Sequence, residues 1–514
     1  MSEKYLFVAE ADKIQDLIFR SSKLREVSGG SQMLSEFCEV SKELAKKFNG
    51  EVIISSGGSF RIQFDSKKKA EEFGEYLSEL YRRELGGTIT VADPVKVKVC
   101  SEKDAIIKGQ ENLRKAKHSG KPPVSMEQMP YMAICASCGM GVARYYKKRY
   151  EDEKENYLCE ICEKKFEARD RIKTKFLSNF YSYVMNGKQP NIDFPKDADV
   201  IAKLESRRYV AYLVADVNNM GVVFSYCDDF DKLKRLSENL SKVIQQSLAE
   251  PTKILIDKHG DFIKERLKSD IVPILPLIMG GDDVFALIPA QWSLDFALRF
   301  CQEFEIRMKE SLKEINFDPS LQPTISASVI ICKGKFPYLI AHNLGEELLK
   351  IAKKRAKEEK KSMISFKVIT GNEIVRAPKE EKKFVAGFPA YSIEELKKLI
   401  EYRFTLKDLP GTRRAQLESL FYKAEELQKQ GEKTAFKRME SEWLPELEKI
   451  ISRLKTSQKE NLTKALQELG DSNENHYWQF KEGSYYHKLP DLLSAWDFAY
   501  DLEKEVSEYE EEEE

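Results

Sequence analysis

Residues 208–216 read RYVAYLVAD and residues 274–290 read ILPLIMGGDDVFALIPA, and these two stretches determine the predicted fold. Both are apolar runs of strand length, and the second is divided by Gly280-Gly281. Paired glycines supply the positive φ angles that a tight turn between twisted strands requires. The two stretches therefore predict a strand that ends at Asp216 and a hairpin that carries two aspartates at its tip.

The flanking segments predict helices and further strands. Residues 231–248 and 295–312 space their apolar side chains as amphipathic helices do, and TISASVIIC (324–332) is typical of a strand. Strand, helix, hairpin, helix, strand is the order of a ferredoxin-like α+β sandwich. A last helix, residues 344–361, leads to a strand at residues 362–370.

The same order occurs earlier in the chain. YLFVAEA (5–11) predicts a strand, and EVIISS and RIQF surround a Gly57-Gly58 turn. An amphipathic helix at 68–84 and the strand GTITVAD (87–93) follow. A pattern that occurs twice in one chain is stronger evidence for the fold than either copy alone. The sequence therefore predicts two related α+β domains.

Three carboxylates should meet at one end of the second predicted sheet, from Asp216, Asp282 and Asp283. Such a cluster repels itself unless a cation neutralises it. Oxygen ligands suit Mg²⁺ or Mn²⁺, and two such ions about 3.5–4 Å apart activate an attacking hydroxyl and hold a leaving pyrophosphate. The adjacent glycines would let phosphates approach the backbone. We therefore expect a two-metal site for nucleoside triphosphates.

The first copy carries Ser59 and Phe60 where the second has its paired aspartates. These side chains cannot replace two carboxylates, so one domain is expected to be catalytic and the other a degenerate partner. The alternative is that Gly-Gly-Asp-Asp is only a favourable hairpin turn, because turns favour these residues.

Four cysteines form two CxxC pairs, Cys135 with Cys138 and Cys159 with Cys162. Twenty residues separate the pairs, which is the spacing of a zinc ribbon. Four thiolates make a closed site, so we expect structural zinc. The alternatives are four unliganded thiols or a redox CxxC.

The composition limits which partners and which cellular compartment we expect for this protein. The chain has 514 residues, 42% of them hydrophobic, and its 84 Lys and Arg nearly balance 85 Asp and Glu. This balance excludes attraction of nucleic acid over the whole surface, so such binding would need local basic patches. No apolar run approaches the roughly 20 residues of a membrane span. No secretion signal is visible, so we expect a cytoplasmic protein without a membrane partner.

Basic residues cluster at 115–123, 144–150 and 168–175, around the cysteines. The second stretch interleaves tyrosines with charge, as single-strand binders do, although all three could be solvated surface. After residue 386 the apolar spacing predicts an all-helical bundle. The expected domains are a degenerate first α+β domain (1–100), a zinc-ribbon segment (101–205), a catalytic second α+β domain (206–385), a helical bundle (386–508) and a disordered acidic tail (509–514).

The motifs carry a family resemblance. VADVNNMG (214–221), GGDDVFALIP (280–289), KFP (335–337) and ELLKIAKKRAK (347–357) resemble the palm of the large subunit of type III CRISPR effector complexes, which is related to GGDEF-type nucleotide cyclases. IQDLIFRSSKLREVSGGS (14–31) is similar to the start of that subunit's first palm. The resemblance covers nearly the whole chain.

The resemblance implies a CRISPR-associated antiviral enzyme that binds ATP and makes cyclic oligoadenylate when its complex captures target RNA. Its partners would be other effector subunits, guide RNA and target RNA, and the helical bundle could serve for docking. The implied metal ligands are Asp216, Asp282 and Asp283. The implied nucleotide-binding residues are Gly280, Gly281, Asn219, Gly221, Lys335 and Lys353, although Lys353 could instead be a solvated lysine on a basic helix.

Two departures from the family pattern matter. Asn218 stands where the family often has a second acidic residue, so the number of catalytic metal ions is open. None of the five histidines is followed by Asp, so no HD-type nuclease is expected. The alternatives to a complex-bound enzyme are a scaffold subunit without turnover and a stand-alone signalling cyclase.

Overall fold

The computed structural model describes residues 3–21, 23–97, 101–119, 131–148, 154–169, 176–185, 194–269, 271–370, 384–427, 439–470, 477–481 and 484–504. Most of the basic stretch 168–175 and the whole acidic tail lie outside these residues. No helix in the described part of the chain is long and apolar enough to cross a membrane. The described residues form a mixed α/β protein.

The first part of the chain forms one sheet with helices packed on it. Its elements are β1 (Lys4–Ala11), α1 (Ile14–Phe19), α2 (Leu24–Lys47), β2 (Glu51–Ser56), β3 (Ser59–Phe64), α3 (Lys67–Leu85), β4 (Ile89–Val91), β5 (Val95–Val97) and α4 (Glu102–His118). The strands lie in the order β2-β3-β1-β4, and β5 also pairs with β1.

The middle segment is smaller. It contains β6 (Tyr145–Lys147), β7 (Asn156–Leu158), α5 (Glu160–Ala168), α6 (Phe176–Val184) and α7 (Ala198–Ala202). Strands β6 and β7 form an antiparallel pair next to the four cysteines.

The second large sheet follows. Its elements are β8 (Tyr209–Val217), α8 (Met220–Ser225), α9 (Phe230–Leu267), β9 (Leu275–Gly280), β10 (Asp283–Pro289), α10 (Ser293–Glu314), β11 (Ile325–Lys333), α11 (Tyr338–Glu359) and β12 (Met363–Val368). Within this sheet the order β12-β11-β8-β10-β9 places β8 in the middle, where eight of its nine residues are buried, all but Asp216.

The two large sheets share one arrangement of their first four strands. In each, the first strand lies between the third and the fourth, and the second strand pairs with the third at the edge. This is the predicted ferredoxin-like order. Helix α9 is longer than predicted and continues past Pro251 to Leu267. The hydroxyl of Thr252 donates to the Leu248 carbonyl inside this helix at 2.8 Å.

The C-terminal region differs from its prediction because it is not all-helical. It contains β13 (Phe384–Ala386), β14 (Tyr391–Ser392), α12 (Ile393–Thr405), α13 (Gly411–Leu427), α14 (Leu444–Ser452), α15 (Thr456–Leu469), β15 (Gln479–Lys481), β16 (Ser484–His487) and α16 (Leu489–Ser494). Strands β13, β16 and β15 form a small sheet. Strands this short carry too few residues to show a two-residue period, so the helical pattern around them dominated the prediction.

Candidate functional site: a carboxylate cluster and a cysteine centre

Two of the predicted site aspartates are direct cross-strand neighbours. Asp283, the first residue of β10, lies opposite Asp216 near the end of β8. Residues directly opposite in an antiparallel pair point to the same face, so both carboxylates are on one side of the sheet. Asp282 is at the hairpin tip, and its carbonyl accepts a hydrogen bond from the Val217 amide at 3.0 Å. The fold therefore brings all three predicted aspartates to one end of the sheet.

The environment of Asp282 and Asp283 disfavours their ionised forms. Burial, followed by the charge of Asp216, raises the pKa of Asp282 to about 6. Burial and the charges of Asp282 and Asp216 raise the pKa of Asp283 to about 8. A bound cation would stabilise the ionised forms strongly, because it offsets both the desolvation of the buried carboxylates and the repulsion between them.

Lys353 supplies one positive charge at this cluster. Its Nζ lies 2.8 Å from Oδ1 of Asp216, and both side chains are partly exposed. Lys353 is on α11, which lies close against β8. At Gly345 of the same helix, a β-carbon would come within 2.6 Å of the Val214 side chain. Because residues two apart in a strand share a face, Val214 and Asp216 both point toward α11.

The donor set suits Mg²⁺ or Mn²⁺, since it consists of carboxylate oxygens that repel one another. Within the described part of the chain, the four cysteines are the only group of three or more His, Cys, Asp or Glu side chains whose ligand atoms already lie within 4.8 Å of one another. Asp216 forms its ion pair with Lys353. Binding of a divalent ion would therefore require the carboxylates to draw together.

Asn218 is held by β11. Its Nδ2 donates to Thr324 Oγ1 at 2.9 Å, and its Oδ1 accepts from Ser326 Oγ at 3.0 Å. Both ends of the amide are thus engaged in linking β8 to β11. Asn219 adopts a left-handed conformation at the start of α8, with φ 62°. Gly221 follows in that helix, where a β-carbon would come within 3.6 Å of Gln110 on α4.

Lys335 does not join the carboxylates. Strand β11 pairs Ser326 with Asp216 but Lys333 with Tyr209, at the far end of β8. Seven residues of extended strand span about 23 Å, so Lys335 lies at the opposite end of the sheet. The sequence motif could not show this separation, because it depends on the direction of β11 relative to β8.

The glycines of the turn lie against the first sheet. A β-carbon on Gly57 would come within 3.0 Å of the Cα and N atoms of Gly281. Both glycines have positive φ, 56° and 66°. No atom of the described residues lies within 4 Å of a β-carbon placed on Gly280. The backbone at Gly280 is therefore open to a ligand, whereas Gly281 is covered by the other turn.

Two acidic residues near the site were not predicted from the sequence. The charge of Glu346 on α11 helps to raise the pKa of Asp283, and that of Glu10 on β1 helps to raise the pKa of Asp282. One oxygen of Glu346, Oε1, is enclosed and accepts no hydrogen bond from the described residues. Glu346 stands seven residues before Lys353, which is two helical turns and therefore the same face. This seven-residue spacing is the sequence signal that could have placed Glu346 on the same side of the helix as Lys353.

The four predicted zinc ligands come together. Their sulfur atoms all lie within 4.8 Å of one another, and Cys135, Cys159 and Cys162 are buried. Sulfur also accepts backbone hydrogen bonds at 3.4 Å, from Gly141 to Cys138 and from Cys162 to Cys159. Such amide–sulfur contacts favour thiolate ligands. Four cysteine ligands leave no open coordination position on a tetrahedral metal ion, as in structural Zn²⁺ sites.

The chain resembles known proteins in one family model and in several solved structures. Residues 209–364 match the model for the second palm domain of Cas10/Cmr2. No curated protein sequence matches the chain.

The structural similarities concern Csm1 proteins. The Csm1-Csm4 cassettes in complex with pppApApA and with cA3 align with TM-scores of 0.53 and 0.52 at 14% identity. These alignments cover 98% and 97% of this chain and 70% of each matched chain. Csm1 from T. onnurineus aligns with a TM-score of 0.48 at 14% identity, over 78% of this chain. The chain spans 56% of that Csm1, and 58% of Csm1 in the pppApA complex.

The sheet order, with carboxylates at one end of the sheet, agrees with a palm-type fold for this part of the chain. Residues 209–364 are similar to the second palm domain of Cas10/Cmr2. At 14% identity, the matches to Csm1 concern the fold.

Proposed function

We propose that this chain is the large subunit of a type III CRISPR-type effector complex and converts ATP into cyclic oligoadenylate. The observation that carries the proposal is the cross-strand pair of Asp216 and Asp283, next to Asp282, in a Cas10/Cmr2-type palm. The Csm1-Csm4 cassettes of similar fold were solved with pppApApA and cA3, which supports adenylate chemistry for this chain too.

The roles of the residues follow from their chemistry. Asp216, Asp282 and Asp283 would hold two Mg²⁺ or Mn²⁺ ions, which when bound supply Lewis acidity at the attacking hydroxyl and the leaving pyrophosphate. Lys353 would exchange its contact with Asp216 for a phosphate oxygen, because the metal then neutralises the carboxylate. Gly280 leaves room for phosphates at the backbone. Asn219 and Gly221 would pack beneath the nucleotide.

The arrangement of domains is part of the proposal. Residues 1–100 would be a degenerate first palm, and 206–385 the catalytic second palm. Their equal strand order and the contact between Gly57 and Gly281 support this division. Residues 101–205 would hold structural zinc, and 386–508 would be a mainly helical docking domain. Guide RNA, target RNA and other effector subunits would be the partners.

The test is to incubate the full chain with ATP and Mn²⁺ or Mg²⁺, with and without RNA-loaded partner subunits, and to identify products by mass spectrometry. Cyclic oligoadenylate is expected, and Asp282→Ala/Asp283→Ala should abolish it. Asp261→Ala, at an exposed position of α9, is the matched control. Absence of product in every condition, or product that survives the double substitution, would reject the proposal.

A second candidate is a scaffold subunit with little turnover. The engagement of both ends of Asn218 and the ion pair between Lys353 and Asp216 favour it, since both reduce the capacity for metal ions. The same assay separates the two functions. Strong RNA-dependent assembly without any nucleotide product would support the scaffold.

A further inference from the structure

The short helix α1 lies between the cysteine centre and the carboxylate-bearing palm. On one side it contacts α5, which begins directly after Cys159. On its other side, the ring of Phe19 packs against His342 on α11 and Phe285 on β10, with ring centroids 3.8 Å and 4.9 Å apart. Both of those residues belong to the elements that carry Lys353 and Asp283. Helix α1 is thus the physical link between the two sites.

Lys165 on α5 binds the C-terminal end of α1. Only 3% of this lysine is exposed. Its ammonium donates to the carbonyls of Leu17, Ile18 and Arg20, at 2.5, 3.3 and 3.4 Å. The last carbonyls of a helix lack partners within the helix, and they carry partial negative charge. A buried cation therefore fixes the position where α1 ends.

The loop of the first CxxC pair supplies a second connection. Ser137, between Cys135 and Cys138, donates to Glu26 Oε2 of α2 at 2.5 Å. Ser21 donates to the same oxygen. Helices α2 and α5 also touch closely, since a β-carbon on Gly29 would lie 1.9 Å from the Lys165 carbonyl oxygen. Residues 17–21 are therefore held by both halves of the cysteine centre.

Tyr338 closes the link from the palm side. Its hydroxyl, at the first residue of α11, donates to the carbonyls of Ser21 and Phe19, the latter at 3.3 Å. The side chain of Gln15 on α1 offsets part of the rise in the pKa of Glu346 that burial causes, so it lies near this carboxyl, two turns before Lys353. The segment 19–21 contacts α11 at its start and at His342.

From this geometry we infer that Lys165 is a positioning residue through which the metal-loaded cysteine centre sets the place of α11, and hence of Lys353, at the carboxylate site. The inference goes beyond the proposed function, on which only its activity readout rests. Folding of the two CxxC loops around zinc fixes α5, α5 fixes α1 through Lys165, and α1 fixes α11 through Phe19 and Tyr338.

The test compares Lys165→Met with Lys164→Met in the full chain. Lys164 is the adjacent residue and forms surface ion pairs with Glu84 and Glu160, so it controls for loss of a lysine. Zinc content, amide hydrogen exchange and ATP turnover are measured. Lys165→Met should keep its zinc, exchange at least threefold faster at residues 14–21 and in the first half of α11, and lose about tenfold in turnover. Lys164→Met should match the wild type.

Tyr338→Phe tests the link from the other side, because it removes one hydroxyl and keeps the ring. It should accelerate amide exchange in the same two segments. In the double variant Lys165→Met/Tyr338→Phe, the increase in exchange rate should be smaller than the product of the increases in the two single variants. Removal of zinc by a chelator should reproduce the exchange pattern. Exchange that increases only around α5, or two effects that simply multiply, would overturn the inference. A wild type without turnover would reject the proposed function, while the exchange data would still decide the inference.

Discussion

Gly57 of the first sheet and Gly281 of the second lie backbone against backbone, each at the turn of its own hairpin. The two related hairpins, one with Ser59 and Phe60 and one with Asp282 and Asp283, therefore face each other. A side chain at Gly57 would press the two turns apart at the carboxylate site.

Gly57→Ala should destabilise the protein by about 2–4 kcal/mol. The methyl group meets Gly281 at 3.0 Å, and a positive φ of 56° disfavours any L side chain. Urea denaturation measures the loss. Gly139→Ala is the control, since its φ is 69° but no described atom lies within 4 Å of the new methyl group. It should cost about 1–2 kcal/mol, and equal losses for both variants would contradict the packing argument.

Lys353→Met should lower ATP turnover about 100-fold and change the free energy of unfolding by less than about 1 kcal/mol. The loss reflects a missing phosphate contact, whereas the ion pair with Asp216 is partly exposed and adds little stability. Steady-state kinetics and urea denaturation separate the two effects. Lys354→Met, at the exposed neighbouring position, should keep full activity. Turnover unchanged in Lys353→Met would remove this residue from the site.

Cys162→Ser should abolish stoichiometric zinc binding and lower the thermal midpoint. Three thiolates and one hydroxyl bind zinc much more weakly than four thiolates, and the metal stabilises the small module around it. Elemental analysis and thermal denaturation with and without a chelator measure this. Cys301→Ala, a buried cysteine outside the cluster, should retain zinc. A chelator that leaves the wild-type midpoint unchanged would speak against a structural metal.

Acidification should destabilise the protein partly through His487. Burial lowers the pKa of His487 to about 3. In the neutral ring, Nδ1 accepts a hydrogen bond from the Leu489 amide, and Nε2 donates to the Leu466 carbonyl. The unfolded chain therefore takes up this proton first, near pH 6.5, so stability falls as pH drops from about 6.5 toward 3. Between pH 7 and pH 5 this residue should account for about 2 kcal/mol, at about 1.4 kcal/mol per pH unit.

His487→Gln should remove that part of the pH dependence, as measured by urea denaturation at both pH values. His118→Gln, at an exposed position of α4, should leave the dependence unchanged. His342, whose pKa burial lowers to about 4, adds an effect of the same sign that both variants retain. If the free energy of unfolding of His487→Gln differs between pH 7 and pH 5 as much as that of the wild type, this histidine does not contribute to the pH dependence.

Features that depend on local pattern could be predicted from the amino-acid sequence alone. The spacing of Cys135, Cys138, Cys159 and Cys162 indicated one metal centre, and Gly280-Gly281 between apolar runs indicated the hairpin. Strand and helix periods in both halves predicted the elements and their order along the chain, because burial of one face imposes that period directly. In the C-terminal region, β13, β15 and β16 were missed since they are too short to show it.

Contacts between residues far apart in the chain became visible in the folded structure. It put Lys353 against Asp216 and Lys335 at the other end of the sheet, although both stood in family-like motifs. It engaged Asn218 with Thr324 and Ser326, and it placed Gly57 against Gly281. These contacts depend on strand direction, register and the packing of one sheet on another. Local sequence cannot encode them, because each contact is fixed by the whole set of buried faces that must fit together at once.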